Sequence, residues 1–168
     1  MFTGTETVAS TIEWVMAELM HSLEDLKPVQ DELTSVVGLE RLVEDSNIEK
    51  LTYLRCAIKE TSCLHPPIPI PLHQCSKDTT VFGCFIPAID LVIISIWAIG
   101  RDPNSWDDPQ TFRPLRFLIE SAPDLRGNHF NFIPFGSGRR SCPGYVVGAL
   151  HDQVRTGSPT LLFHMGVA

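Results

Sequence analysis

The sequence predicts a mainly α chain with a small β-hairpin region. Three observations carry this expectation. Apolar residues recur at helical spacing from Val8 to Ile58, β-branched and aromatic residues gather between Val81 and Ile94, and turn formers crowd the stretch from Gly100 to Asn131. With 168 residues, the chain is long enough for one domain with a real core.

Val8, Ile12, Val15, Met16 and Leu19 share one helical face, so a first helix is expected to run to about His21. Ser22 is suited to N-cap a second helix. Leu23, Leu26, Val29, Leu33, Val36 and Val37 give that helix its apolar face, and Gly38 ends it. Pro28 lies inside it and should kink or weaken it, by roughly 3 kcal/mol if unrelieved. Ser46 or Asn47 is expected to open a third helix, with Ile48, Leu51, Leu54 and Ile58 on one face and Pro66-Pro67 as its stop. Val81 to Ile94 reads as a hairpin turning near Pro87-Ala88. Leu91 to Ile99, interrupted by Ser95, reads as a buried strand running into a turn. Asp102-Pro103, Asp108-Pro109, Arg113-Pro114 and Arg126-Gly127-Asn128 then punctuate a long loop of the kind that is usually functional or disordered. Tyr145 to Leu150 reads as the start of a further helix.

Composition excludes several classes of function. Hydrophobic residues make up 43% and charged residues 20%, an ordinary globular balance. Thirteen basic against 20 acidic residues give a net charge of −7, which argues against nucleic-acid binding through clustered Lys and Arg. No run approaches the roughly 20 apolar residues of a membrane helix. Met1-Phe2-Thr3-Gly4 has neither the basic start nor the apolar stretch of a signal sequence, so no membrane span and no address are expected in this chain. Cys56, Cys63, Cys75, Cys84 and Cys142 form no CxxC pair, and their odd count suggests free thiols in a reducing compartment.

The chemistry is concentrated in Phe135-Gly136-Ser137-Gly138-Arg139-Arg140-Ser141-Cys142-Pro143-Gly144. One thiol sits in a glycine loop just after two arginines, and nearby positive charge favours the thiolate, the species that binds metal. Gly136, Gly138 and Gly144 let backbone approach a flat ligand closely, and Pro143 removes an N–H beside the sulfur. Arg140 is suited to meet a carboxylate, such as a porphyrin propionate. The plain alternative is a Gly-rich loop around a buried structural cysteine.

The pattern Phe-x-x-Gly-x-Arg-x-Cys-x-Gly, filled by Phe135, Gly138, Arg140, Cys142 and Gly144, resembles the haem loop of the cytochrome P450 family. The resemblance implies haem b, its iron ligated by Cys142 and the other four residues framing it; thiolate donation favours O–O cleavage. Thr3-Gly4-Thr5-Glu6-Thr7 is similar to the family's oxygen-activation motif, in which the helix bulges at the glycine and an acid–alcohol pair, here Glu6 and Thr7, relays protons. The family usually has Ala or Gly where Thr3 stands, and read alone the stretch is a helix cap.

Lys59 to Pro67 resembles the helix that carries the family's Glu-x-x-Arg pair. Glu60 is kept, but Cys63 stands in the Arg position. Phe112 to Phe117 resembles the loop that supplies a second arginine through Arg116, so Glu60 and Arg116 are the structural remainder of a charged triad. Cys63 reads equally as a small core residue. His73 falls where the family places a propionate partner, with a surface-loop histidine as the alternative. Cys63, His65, His73 and Cys75 match no zinc spacing.

Ser95 to Pro103, Trp106-Asp107-Asp108-Pro109 and Phe112 resemble the plant microsomal branch. Leu51 to Glu60 and Val36 to Arg41 are most similar to ferulate (coniferaldehyde) 5-hydroxylases, with flavonoid hydroxylases as the rival. The resemblance implies a haem-dependent monooxygenase that hydroxylates a phenylpropanoid aromatic ring, on the route to syringyl lignin. It would use O2, a small aromatic substrate, and NADPH through NADPH-cytochrome P450 reductase. It would sit on the cytosolic face of the endoplasmic reticulum membrane; with no anchor, the chain as it stands would be cytoplasmic. The expected organisation is a partial domain over 1–150, the incomplete haem-proximal part of the fold. A divergent tail over 151–168 would be disordered or truncated, because Gly157 and Pro159 suit a helix poorly. The competing expectation is a non-catalytic truncated remnant that does not bind haem stably.

Overall fold

The helical periodicity becomes three long helices in the computed structural model, which describes residues 2–38, 43–119 and 121–145. α1 spans Phe2–His21 and α2 Leu23–Val36; after a short α3 at Asp45–Ile48, α4 runs Thr52–Leu64. Val15 and Leu19 of α1, Leu26, Val29 and Leu33 of α2, and Leu54, Ala57 and Ile58 of α4 close one buried cluster. Each large aliphatic side chain buried there contributes about 1.5–3 kcal/mol. The opposite face of α4 sends Cys56 and Cys63 into a second cluster with Trp106, Phe117 and Phe132. The Phe117 and Phe132 rings tilt together at 5.0 Å. α4 is therefore buried on both sides, and the chain after it is laid against its outer face.

α2 ends as expected: the Val37 and Gly38 N–H groups both return to the Leu33 carbonyl, at 2.9 and 3.2 Å. The helix continues through Pro28 to Val36, at the loss of one backbone donor. Ser22 occupies the N-cap position without capping; its hydroxyl turns to Asp25 Oδ2 instead.

The expected third helix is divided. Glu44, rather than Ser46 or Asn47, stands at the N-cap of α3, and its N–H donates to Asn47 Oδ1 at 3.0 Å. α4 then begins with no cap from its own N-terminal residue, Leu51. The cap comes from another helix. Glu32 of α2 accepts the Tyr53 N–H through Oε1 at 2.9 Å and the Leu54 N–H through Oε2 at 3.0 Å. A carboxylate here satisfies two orphan donors and faces the positive end of the helix dipole. Tyr53 Oη also donates to Asp25 Oδ1 at 2.6 Å, a second tie between the same helices. At the far end of α4, His65 Nε2 lies 2.6 Å from Glu18 Oε1, and Trp14 stacks on the imidazole at 3.9 Å.

The β region differs from the single hairpin expected over Val81 to Ile94. β2 (Thr79–Val81) pairs with β3 (Cys84–Ile86), and β1 (Leu72–Gln74) pairs with β4 (Leu91–Ile93), both antiparallel. The tight turn is Phe82-Gly83, both residues at positive φ, and Pro87-Ala88 lies in the connection to β4. The expected buried strand at Leu91 to Ile99 is corrected as well. Leu91 and Ile93 are exposed, and a short α5 (Ile96–Ile99) follows, with Ser95 Oγ accepting the Ala98 N–H. Alternation and β-branching are common to edge strands and buried ones, so the pattern alone could not assign a face. The helix expected beyond Tyr145, and the tail 151–168, lie outside the described residues.

Replacing Glu32 with Ala strips both donors at the start of α4. The expected loss is about 1–2 kcal/mol of stability, read as a lower urea midpoint with an unchanged slope. Glu32→Gln, which keeps one acceptor oxygen, is expected to lose about half as much.

Candidate functional site

Three turns of backbone build the glycine loop. A 3-10 turn spans Gly138–Arg140, the Cys142 N–H donates to the Phe135 carbonyl at 2.8 Å, and the Gly136 N–H donates to Ile133 O at 2.9 Å. Cys142 and Phe135 are thus hydrogen-bonded neighbours across the loop. The Cys142 thiol is exposed, and Gly144 lies close enough that a Cβ on it would come 3.8 Å from Sγ. Gly136 and Gly138 both adopt positive φ, which an L side chain adopts only with strain.

A preceding turn anchors this loop. Ser137 Oγ donates to the Gly127 carbonyl at 2.7 Å. Gly127 has a φ of +73°, and a Cβ there would meet Gly136 O at 2.4 Å. The Arg126-Gly127-Asn128 turn therefore nests directly against the loop, and only glycine permits that approach.

Beside the loop opens a cleft of about 360 Å³. Ile94, Ile96, Phe130 and Ile133 give it apolar walls; His73, Arg139 and Arg140 supply its basic groups. β1 delivers His73, and the loop delivers both arginines. The arrangement can hold a flat apolar body carrying carboxylates, by burial of its faces and charge-assisted hydrogen bonds at its edge. Arg139 and Phe130 were not among the residues picked from the sequence. Arg139 had a signal in the arginine doublet. Phe130 sits in a polar stretch that gave it none.

The remaining expected site residues lie elsewhere. Glu6 is exposed and Thr7 half-buried on α1, which contributes nothing to the cleft among the described residues. The bulge expected at Gly4 is absent: α1 runs as unbroken α-helix from Phe2 to His21. The Thr7 carbonyl accepts the Thr11 hydroxyl at 2.9 Å. Thr11 is buried in the helix face, and this bond back to the carbonyl four residues earlier satisfies its hydroxyl.

Glu60 and Arg116 are brought together. Glu60 is buried, 1% exposed, and its Oε2 lies 3.0 Å from Arg116 Nε. That N–H is not aimed at the oxygen, so the contact is one of charge without an aligned hydrogen bond. Glu60 Oε1 accepts the Arg113 N–H at 3.0 Å, a partner the sequence did not disclose. Arg116 also donates to the carbonyls of Asp107, Asp108 and Thr111, at 2.7, 3.1 and 3.0 Å. One guanidinium thus gathers the 107–117 loop and presents it to α4. Burial pushes the Glu60 carboxyl up to about 7, against the opposing pull of the Arg113 N–H and the Arg116 charge. Cys63 is buried, and burial, with Glu60 adding to it, pushes its thiol up to about 12. Its Sγ turns to Gly100 O at 3.5 Å. Gly100 in turn packs so tightly that a Cβ would meet Cys63 O at 2.3 Å.

Gly127→Ala is expected to displace the glycine loop. Left-handed strain alone costs about 1–2 kcal/mol, and the collision with Gly136 O adds to it. Limited trypsin digestion should show faster cleavage at Arg139 and Arg140 in this variant than in the parent chain.

With this geometry in place, comparison with known proteins is direct. The family model described as Cytochrome P450 matches residues 1–154. Cytochrome P450 84A1 of Arabidopsis thaliana is 62% identical over 148 residues, which cover 88% of this chain and 28% of that protein. The 3,9-dihydroxypterocarpan 6A-monooxygenase of Glycine max is 48% identical over 143 residues, covering 84% of this chain and 28% of that protein. A zebrafish cytochrome P450 structure with abiraterone superimposes with a TM-score of 0.81 at 31% identity, covering 94% of this chain and 36% of that one. The chain thus spans under a third of the curated relatives it matches, and its helices and small antiparallel ladders are a partial copy of their fold. On sequence and on structure alike, the chain belongs to the cytochrome P450 family.

Proposed function

We propose that this chain is the haem-binding part of a plant monooxygenase that hydroxylates the aromatic ring of a phenylpropanoid, in the manner of a ferulate 5-hydroxylase. The observation that carries the reading is the filled Phe135–Gly144 loop beside an apolar cleft with three basic side chains. The 62% identity to Cytochrome P450 84A1 supports the plant branch, as do the segments Leu51 to Glu60 and Ser95 to Pro103.

The residues present fit a haem. The exposed Cys142 thiol is the iron ligand, a role that needs the thiolate and a backbone tight enough to hold it, here through the Phe135 carbonyl. His73 and Arg140, with Arg139 beside them, hold the propionates by charge-assisted hydrogen bonds. Phe135, Gly138 and Gly144 frame the macrocycle. When bound, haem b would supply the activation of O2, which electron donation from the Cys142 thiolate would favour. Glu6 and Thr7 deliver protons from solvent along α1, and the exposed Glu6 beside a half-buried Thr7 suits that task. The overall reaction places one oxygen atom in an aromatic C–H bond and reduces the other to water. NADPH provides the two electrons through NADPH-cytochrome P450 reductase. Glu60 and Arg116 hold α4 and the 107–117 loop in register. Residues 1–150 form the partial domain, 151–168 a divergent tail, and the working enzyme lies on the cytosolic face of the endoplasmic reticulum.

One observation favours a second reading, a non-catalytic remnant that does not hold haem stably. Among the described residues Glu60 makes an ion-pair contact with Arg116, and Cys63 rather than a second cation lies one helical turn away. Breaking a buried ionic cluster costs about 3–5 kcal/mol, enough to loosen the loops it supports.

A difference spectrum of the reduced, haem-reconstituted chain with carbon monoxide separates the two. The expected result is a red-shifted, thiolate-type Soret band that Cys142→Ala abolishes. A band surviving in Cys142→Ala would refute the ligand assignment, and no haem uptake by the parent chain would favour the remnant.

A further inference from the structure

Glu60 is the most thoroughly buried ionisable carboxyl among the described residues, at 1% exposure, and it lies at the joint between α4 and the 107–117 loop. The groups facing it come from every element packed there. The loop presents the Arg113 N–H to Oε1 and Arg116 Nε to Oε2, the latter misaligned. α1 presents Glu18, a like charge, itself engaged by His65 at 2.6 Å. α4 presents Cys63, whose sulfur turns away to Gly100 O and which feels the charges of Arg116 and Arg101. Two cations, Arg116 and an Arg113 whose guanidinium also meets Asp107 and Asp108, one aligned donor and one opposing carboxylate therefore act on a carboxyl removed from water.

We infer that this joint is proton-coupled: Glu60, buried at the joint with a misaligned counter-charge, takes up a proton as the chain folds and releases it as pH rises, so that α4 and the 107–117 loop are held most firmly on the acid side. Desolvation of the buried carboxylate outweighs the attraction of the misaligned Arg116, of the Arg113 N–H and of the more distant pull of the Arg113 charge. The direction follows from linkage. Burial lifts the folded carboxyl to about 7 from its ordinary 4.5. Between those values the folded chain is protonated and the unfolded chain is not, so stability falls as pH rises. Above the upper value both states are ionised, and the loss is complete and constant. Within the window the folding equilibrium constant changes by up to about tenfold per pH unit. The inference rests on the carboxyl and its neighbours alone, independent of any haem.

Urea unfolding of the chain from about pH 5.5 to about pH 8, beside Glu60→Gln, tests it. Glutamine keeps an acceptor for the Arg113 N–H and imitates the protonated acid, while histidine titrations elsewhere cancel in the comparison. The folding constant of the parent chain, divided by that of Glu60→Gln, is expected to fall by about fivefold between pH 6 and pH 7 and by about a further twofold to pH 8, where it levels off. Parallel curves would overturn the inference. Should Glu60→Gln fail to fold, a carboxyl-carbon NMR titration of the glutamate-labelled parent chain decides. One glutamate still titrating near neutrality is expected; all of them titrating in the ordinary carboxylate range would overturn it.

Discussion

The burial of α4 on both faces is the constraint from which the rest of the structure follows. One face closes the helical core with Leu54, Ala57 and Ile58. The other must receive whatever the chain lays down after residue 65, and there the helix carries Cys56, Glu60 and Cys63 in place of a purely aliphatic stripe. A polar group in that position has to be answered by polar groups of the incoming loop. Arg116 answers with charge and Arg113 with its backbone N–H, while Phe117, next in sequence, fills the apolar space beside them. Long-range order in the second half of the chain is therefore specified by one carboxyl as much as by hydrophobic burial. The aromatic cluster of Trp106, Phe117 and Phe132 then reaches the segment that leads into the glycine loop, with Phe132 and Ile133 buried just before it.

The ends of α4 are held by the neighbouring helices. Glu32 caps its start from α2, and Glu18 meets His65 just past its end from α1. Such exchanges leave each helix dependent on another for its terminal hydrogen bonds. The three helices are expected to form together, because the orphan donors of α4 are satisfied only when α2 is in place.

Legibility in the sequence followed the range of the forces involved. The ends of α1 and α2 were readable because Val8 to Leu19 repeat with one period and Gly38 closes a local backbone motif. The glycine loop was readable because its geometry is set within ten residues, from Phe135 to Gly144. The split between α3 and α4 was not, since Glu32 is some twenty residues away and no local rule announces a cap supplied across space. The strand pairing failed for the same reason: Phe82-Gly83 is a less familiar turn than one built on Pro87, and β1 finds β4 across an intervening hairpin. Thr7 and Glu6 were read by resemblance with a bulged helix, whereas the helix of this chain is regular there. The meeting of His73 with Arg139 and Arg140 is a product of tertiary structure, and only the resemblance had given His73 a partner.

Cys63 shows how a single departure changes the character of a buried site without disturbing its packing. The thiol is small, apolar enough to be buried, and satisfied by the Gly100 carbonyl that lies against it. As packing it is a sound core residue. As electrostatics it contributes nothing to Glu60, since burial holds the thiol protonated and its dipole points elsewhere. The carboxyl is left to the Arg113 N–H and the charges of Arg116 and Arg113, and the Arg116 guanidinium divides its donors among three loop carbonyls. A group balanced so closely between desolvation and these neighbours responds to any change in either. Tightening the joint around Glu60 raises the cost of its charge, and admitting water lowers it. On the inference drawn above, the protonation of Glu60 is thus linked to the folding of the chain through the packing of the 107–117 loop on α4.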